Sequence, residues 1–141
     1  MDGRRPSGLE DGVSAPPVKP DVIHRIASDD LPERGAVKFE YDGPGGKPVE
    51  VFCVRHNGAP YAWVNVCPHW GIGLDMDDGV FWSDTGPYLV CQNHAALFRP
   101  DDGYCQSGPC FGGFLKPAPV EEEQGQVTVF RPAWPDPADW L

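Results

Sequence analysis

Apolar and polar positions alternate with period two over several short stretches, and no stretch holds a helical period for long. Val22-Ile23-His24-Arg25-Ile26 predicts a short first strand, broken by Asp29, Asp30 and then Pro32. Ala36-Val37-Lys38-Phe39-Glu40-Tyr41 interleaves apolar and polar residues as a half-buried strand does. The turn Asp42-Gly43-Pro44-Gly45-Gly46 joins it to Val49-Glu50-Val51-Phe52-Cys53-Val54-Arg55, a hairpin pattern. His56-Asn57-Gly58 turns again into Tyr61-Ala62-Trp63-Val64-Asn65-Val66. These last three strands predict a meander.

Residues 74–86 form an acidic excursion, after which Tyr88-Leu89-Val90 reads as another strand. Leu97-Phe98 and Tyr104 predict a hairpin across Asp101-Asp102-Gly103, and Val120 with Val127-Thr128-Val129-Phe130 closes the sheet. Residues 1–21 hold hardly any apolar side chain, too few to offset ordering entropy, so they read as a disordered tail. Residues 132–141 carry Trp134 and Trp140 among prolines and read as a second tail. The expected organisation is one all-β, antiparallel domain over residues 22–131 between two tails.

Gly and Pro at 17 each in 141 residues support that picture, because they favour turns over long helices. The formal net charge of −10 disfavours nucleic acid and anionic membrane as partners, since phosphate binding needs a positive footprint. It suits a basic patch on a protein partner. No window approaches the roughly 18 consecutive apolar residues of a membrane helix. Arg4-Arg5 is followed by no apolar run, so no export signal is readable. The expected location is the cytoplasm, where five cysteines are better metal ligands or buried thiols than disulfides.

The candidate chemistry lies in Cys67-Pro68-His69 and Cys91-Gln92-Asn93-His94. Each motif offers one thiolate and one imidazole on a tight loop that follows a predicted strand. One chemistry that needs this mixture is a [2Fe–2S] cluster in which two histidines replace two cysteines on one iron. The other is structural zinc, which also takes two thiolates and two imidazoles, but usually with cysteines paired to cysteines and histidines to histidines. A Cys67–Cys91 disulfide leaves both histidines unexplained.

Cys67-Pro68-His69-Trp70-Gly71 and Cys91-Gln92-Asn93-His94 followed by Leu97-Phe98 resemble the two cluster-binding loops of the Rieske iron–sulfur family. Asp102-Gly103-Tyr104-Cys105, Gly108-Pro109-Cys110 and Leu115 resemble the hairpin and proline loop that cover that family's cluster. The resemblance implies an antiparallel Rieske-like sandwich with a cluster-binding subdomain of two loops. It implies that Cys67 and Cys91 hold a buried iron while His69 and His94 hold an outer iron near the surface. Rieske potentials run from about −150 to +300 mV. High-potential members add a bracing disulfide and two hydroxyl donors near the cluster sulfurs. The corresponding positions here are Ile72 and Asn93, and Ala96 and Phe98, which predicts a low-potential centre.

The implied function is a single-electron carrier between a reductase and a terminal oxidoreductase such as an oxygenase. The alternatives are a small subunit held permanently in a nitrite-reductase-like or oxygenase complex, and a zinc-stabilised module without redox chemistry. Ring-hydroxylating oxygenases share the cluster domain but add a mononuclear iron held by two histidines and a carboxylate. Four histidines, two of them on the cluster, do not supply that site. Cys53, Cys105 and Cys110 read as small buried hydrophobes, and His24 and His56 as surface or turn residues. Trp70 shields the histidine edge or packs its loop. Asp75, Asp77 and Asp78 read as a solvated acidic loop without a full oxygen cage for a cation.

Overall fold

In the computed structural model, which describes residues 21–68 and 72–132, the chain forms short antiparallel strands in three sheets. The expected tails, apart from Asp21 and Pro132, lie outside the described residues, as do His69 and Trp70. The central sheet has the order β2 (Ala36–Asp42), β3 (Pro48–His56), β4 (Ala59–Val64) and β8 (Pro117–Ala118). Its first three strands are the expected meander. Each alternating stretch pairs with the next through a turn: Phe39 faces Val51 across one ladder, and Phe52 faces Trp63 across the next.

Strand β3 explains the architecture. Its run Val51-Phe52-Cys53-Val54 is wholly buried, because the sheet is covered on both faces. Val51 and Cys53 point one way, with Phe39, Ala62 and Val64, into a first core completed by Ile26, Leu31, Val127 and Val129. Phe52 and Val54 point the other way, with Trp63, into a second core of Leu74, Phe81, Leu89, Phe98 and Leu115. Period-two side-chain alternation thus makes one strand the wall between two cores.

The first core is closed by a sheet of order β1 (Val22–Ala27), β10 (Gln126–Phe130) and β9 (Val120–Glu123). The final strands therefore do not extend the meander, as expected from sequence, but pair with β1 in a sheet of their own. Arg55, near the end of β3, fixes this sheet to the central one. Its Nη1 and Nη2 donate to the two Glu122 carboxylate oxygens at 3.0 and 2.7 Å, and Ser28 Oγ donates to the same carboxylate at 2.7 Å. His24 is half-buried within β1 and stacks on Phe39 with ring centroids 4.2 Å apart, so it is neither a surface nor a turn residue.

The second core is closed by three strands of three residues each: β5 (Leu89–Cys91), β6 (Ala96–Phe98) and β7 (Cys105–Ser107). The hairpin expected across Asp101-Asp102-Gly103 is the β6–β7 connection, with Phe98 paired to Cys105. The acidic excursion departs from expectation. Leu74, Asp75, Phe81 and Ser83 are buried, and Phe81 stacks on Phe52 at 4.2 Å.

Asp75 is buried because its charge is met from three sides. Lys38 Nζ donates to one carboxylate oxygen at 2.8 Å, Gly79 N–H to the same oxygen at 3.0 Å, and the Asn65 amide to the other at 3.1 Å. Burial pushes this carboxyl up, but the Lys38 and Asn65 hydrogen bonds outweigh it and hold the group below its ordinary value. Asp77, by contrast, is exposed and lies 3.2 Å from Lys38 Nζ.

Candidate metal centre

The first loop begins where β4 stops. The strand ends at Val64 rather than Val66 because Asn65 turns its amide into the structure as a bracket. Its Nδ2 donates to Glu50 and Asp75, and its Oδ1 accepts the Leu74 N–H at 2.8 Å. Cys67 N–H donates to the Ile72 carbonyl at 2.6 Å, closing the loop over itself. The Cys67 side chain is 1% exposed.

The second loop is the β5–β6 turn. Cys91 ends β5, pairs with Ala96, and accepts the Ala95 N–H on its carbonyl at 2.8 Å. Ala95 takes a left-handed φ of 58°, which turns the chain tightly enough to bring His94 back beside Cys91. Gln92 N–H donates to the Leu74 carbonyl at 2.9 Å, so the end of the first loop is tied to the start of the second. The Gln92 amide adds bonds to Asp78 and Val80.

Cys67 and Cys91 come within hydrogen-bonding reach of each other, as close as two ligands of one tetrahedral ion must be. The neighbouring Cys67 thiol and burial both push the Cys91 thiol well above its ordinary pKa. A thiol so placed gives up its proton to a bound cation, which is what a metal site requires. His94 is exposed, with its Nδ1 2.8 Å from the Asn93 amide. Buried sulfur on one side and exposed imidazole on the other fit a cluster with unlike irons. His69, the fourth expected ligand, lies outside the described residues. Among the described residues no group of three or more His, Cys, Asp or Glu is arranged to hold a metal ion by itself.

A third segment lies over the two cysteines. It runs from β7 through Gly108-Pro109-Cys110 to Leu115, whose N–H returns to the Gly103 carbonyl at 2.9 Å. Gly108 has φ +104°, and a Cβ there would stand 2.6 Å from Ala96 Cα, so only glycine lets the loop approach β6. Phe111 and Phe114 on this segment are 68% and 51% exposed, a large apolar display for a charged chain. Cys53 stands apart in the first core, where burial pushes its thiol up to about 12. It is ordinary core, as the sequence predicts.

The motifs in the sequence do not reveal the Lys38–Asp75–Asn65 bracket, which holds the first loop from behind. Its one signal is a polar Asn65 at the end of the apolar run Tyr61-Ala62-Trp63-Val64. Nor do they reveal that Cys105 and Cys110 meet, since their spacing fits many loops.

Residues 22–130 match the Rieske [2Fe–2S] domain, and the chain belongs to that family. Membership implies a [2Fe–2S] cluster rather than structural zinc. No curated protein sequence matches the chain. Among solved structures, the ferredoxin of carbazole 1,9a-dioxygenase from Nocardioides aromaticivorans IC177 is 25% identical, with a TM-score of 0.58, covering 82% of this chain and 99% of that one. The terminal oxygenase of carbazole 1,9a-dioxygenase from Novosphingobium sp. KA1 is 22% identical with a TM-score of 0.64, covering 84% of this chain and 32% of its own. A reduced oxygenase–ferredoxin complex of carbazole 1,9a-dioxygenase is 21% identical with a TM-score of 0.60, covering 79% of this chain and 28% of its own. The chain thus spans about a third or less of the length of the oxygenase-system chains it matches. The antiparallel Rieske-like architecture expected from sequence is the one observed.

Proposed function

We propose that the protein is a one-electron carrier that takes electrons from a reductase and delivers them to a terminal oxidoreductase such as an oxygenase. The carrying observation is the arrangement of the loops: Cys67 and Cys91 buried side by side, with His94 exposed beside them. Cys67, Cys91, His69 and His94 hold the cluster, the thiolates on the inner iron and the imidazoles on the outer one. When bound, the cluster supplies a single reversible electron at a potential the protein sets. The chain's residues shield the sulfur side from water and leave His94 open to a partner. Exposed Phe111 and Phe114 offer that partner an apolar contact.

Likeness over nearly the full length of a dioxygenase ferredoxin supports the carrier reading over that of an enzyme. Residues 22–131 constitute the cluster domain, with residues 1–21 and 132–141 as tails. Among the described residues no helix is long and apolar enough to cross a membrane, which accords with work in the cytoplasm. The midpoint potential lies in the lower, negative part of the Rieske range. Buried Ala96 and Phe98 have no hydroxyl to offer the cluster sulfurs where high-potential members have donors.

The test is an electron paramagnetic resonance spectrum of the dithionite-reduced protein, with iron, zinc and acid-labile sulfide assayed on the same sample. A rhombic signal of average g below the free-electron value, with iron and sulfide in equal amounts, is the expected result. Zinc without sulfide overturns it. A strongly positive midpoint by redox titration overturns the low-potential assignment alone.

A further inference from the structure

Two cysteines outside the four-ligand set face each other beneath the cover loop. Cys105 is fully buried at the start of β7, and Cys110, after the Gly108-Pro109 turn, is 9% exposed. Their Sγ atoms are 3.0 Å apart, and Cys105 Sγ also lies 3.3 Å from the Ser107 carbonyl oxygen. That separation is about 1 Å longer than the ~2.05 Å of a sulfur–sulfur bond. The backbone on either side is already clamped. Cys105 N–H donates to the Gly113 carbonyl at 2.7 Å, Gly112 N–H to the Cys105 carbonyl at 3.0 Å, and Gly113 N–H to the Cys110 carbonyl at 2.8 Å.

Cys110 is also within hydrogen-bonding reach of Cys67. As a thiol it has a hydrogen to give the Cys67 sulfur; in a disulfide it has none. We propose that Cys105 and Cys110 form a reversible dithiol–disulfide site under the cover loop, whose oxidation takes a hydrogen-bond donor away from Cys67.

The oxidant is a low-molecular-weight disulfide such as glutathione disulfide. Cys110 is the point of attack, because it is the less buried of the two and neighbours Gly112, which has open space around it, and exposed Phe111. Its sulfur displaces one glutathione thiol and forms a mixed disulfide. The Cys105 sulfur then displaces the second, leaving a Cys105–Cys110 bond. The two protein thiols lose two electrons and two protons, and glutathione disulfide gains both as two thiols. The disulfide stands by itself, whereas its effect on the cluster rests on the assignment of Cys67 as a ligand. Donors to ligand sulfur stabilise the reduced centre, so the closed pair lowers the midpoint.

The experiment equilibrates the iron-loaded full chain anaerobically across glutathione redox buffers. Acid quenching, alkylation, intact mass and peptide mapping follow, with a redox titration at each end of the series and an assay of iron and sulfide. At the oxidising end the alkylated protein carries two alkyl groups fewer, a Cys105–Cys110 cross-link is mapped, and the midpoint falls; reduced glutathione reverses all three. Cys105→Ala forms no cross-link and keeps the midpoint of the reduced protein, while Cys110→Ala in reducing buffer has the lowered midpoint of the closed pair. Thiols that stay alkylatable across the whole series overturn the proposal, as does a cross-link through Cys67 or Cys91, or a midpoint that does not move on closure. Absence of iron and sulfide in the untreated protein overturns the cluster reading instead, and the cross-link still decides the pair.

Discussion

The two faces of the central sheet are built from the same strands and solve opposite problems. On one face, β3 and β4 turn Val51, Cys53, Ala62 and Val64 toward a second sheet, and the core is mostly aliphatic. Strands of four to nine residues supply most of its ladders, and one bidentate Arg55–Glu122 pair fastens the sheets together. On the other face, Phe52, Val54 and Trp63 meet strands of only three residues, joined by loops. That core holds Cys67, Cys91, Cys105 and Cys110, and its loops depend on glycines at left-handed φ such as Gly103 and Gly108. A regular sheet pair needs nothing further to bury its surface. A layer of short strands around buried thiols lacks ladder bonds and gains them back through polar brackets and a bound metal.

The sharpest way to break this comparison is to remove a proposed ligand. Cys91→Ser abolishes the cluster's visible absorbance, and amide exchange speeds up through β5, β6 and β7 while β1, β3 and β10 keep their protection. Uniform loss of protection would show that the two faces fold as one unit. Next in size is Asp75→Ala, which removes the buried carboxylate between Lys38 Nζ and the Asn65 amide and leaves them only the more exposed Asp77 and Glu50. It costs about 3 kcal/mol in denaturant unfolding, with the loss concentrated on the metal face. Gly108→Ala forces a Cβ against Ala96 at a strained φ and costs about 2 kcal/mol, with faster cluster loss to a chelator.

The smallest effect falls on the aliphatic face. The Arg55 guanidinium, with Ser28, holds the Glu122 carboxyl down at about 2, against 4.5 ordinarily. A depressed carboxyl contributes stability that is present in full above its ordinary value and is lost as pH falls through about 2. Glu122→Gln costs about 1 kcal/mol at neutral pH by chemical denaturation. Parent and variant converge in strong acid, with the cluster signal unaffected at neutral pH.

Much of this contrast was legible in the amino-acid order, and unevenly so. The β2-β3-β4 meander announces itself because Lys38 and Glu40 alternate with Phe39 and Tyr41, and turns rich in Gly and Asn separate the strands. The ligand loops are legible because a cysteine and a histidine on one tight turn have few uses besides a metal. The partner of β1 was not legible: Ile26 pairs with Val127, and no local pattern encodes so distant a contact. Asp75 reads as solvated because its neutralising Lys38 is 37 residues away in sequence. Three-residue strands leave too short a period to distinguish from loop, and only the fold brings Cys105 and Cys110 together.

The pairing of β1 with β10 also brings the two ends of the folded unit together. Val22 stands opposite Phe130, and Arg131 N–H donates to the Asp21 carbonyl at 2.7 Å, so the domain's entry and exit are adjacent. They lie on the sheet that closes the aliphatic core, away from Cys67, Cys91 and His94 in sequence and in sheet. A domain with adjacent ends can be set into a surface loop of a host protein without stretching either connection. The opposite face then arrives intact, and the insertion site need only accommodate two neighbouring strand ends.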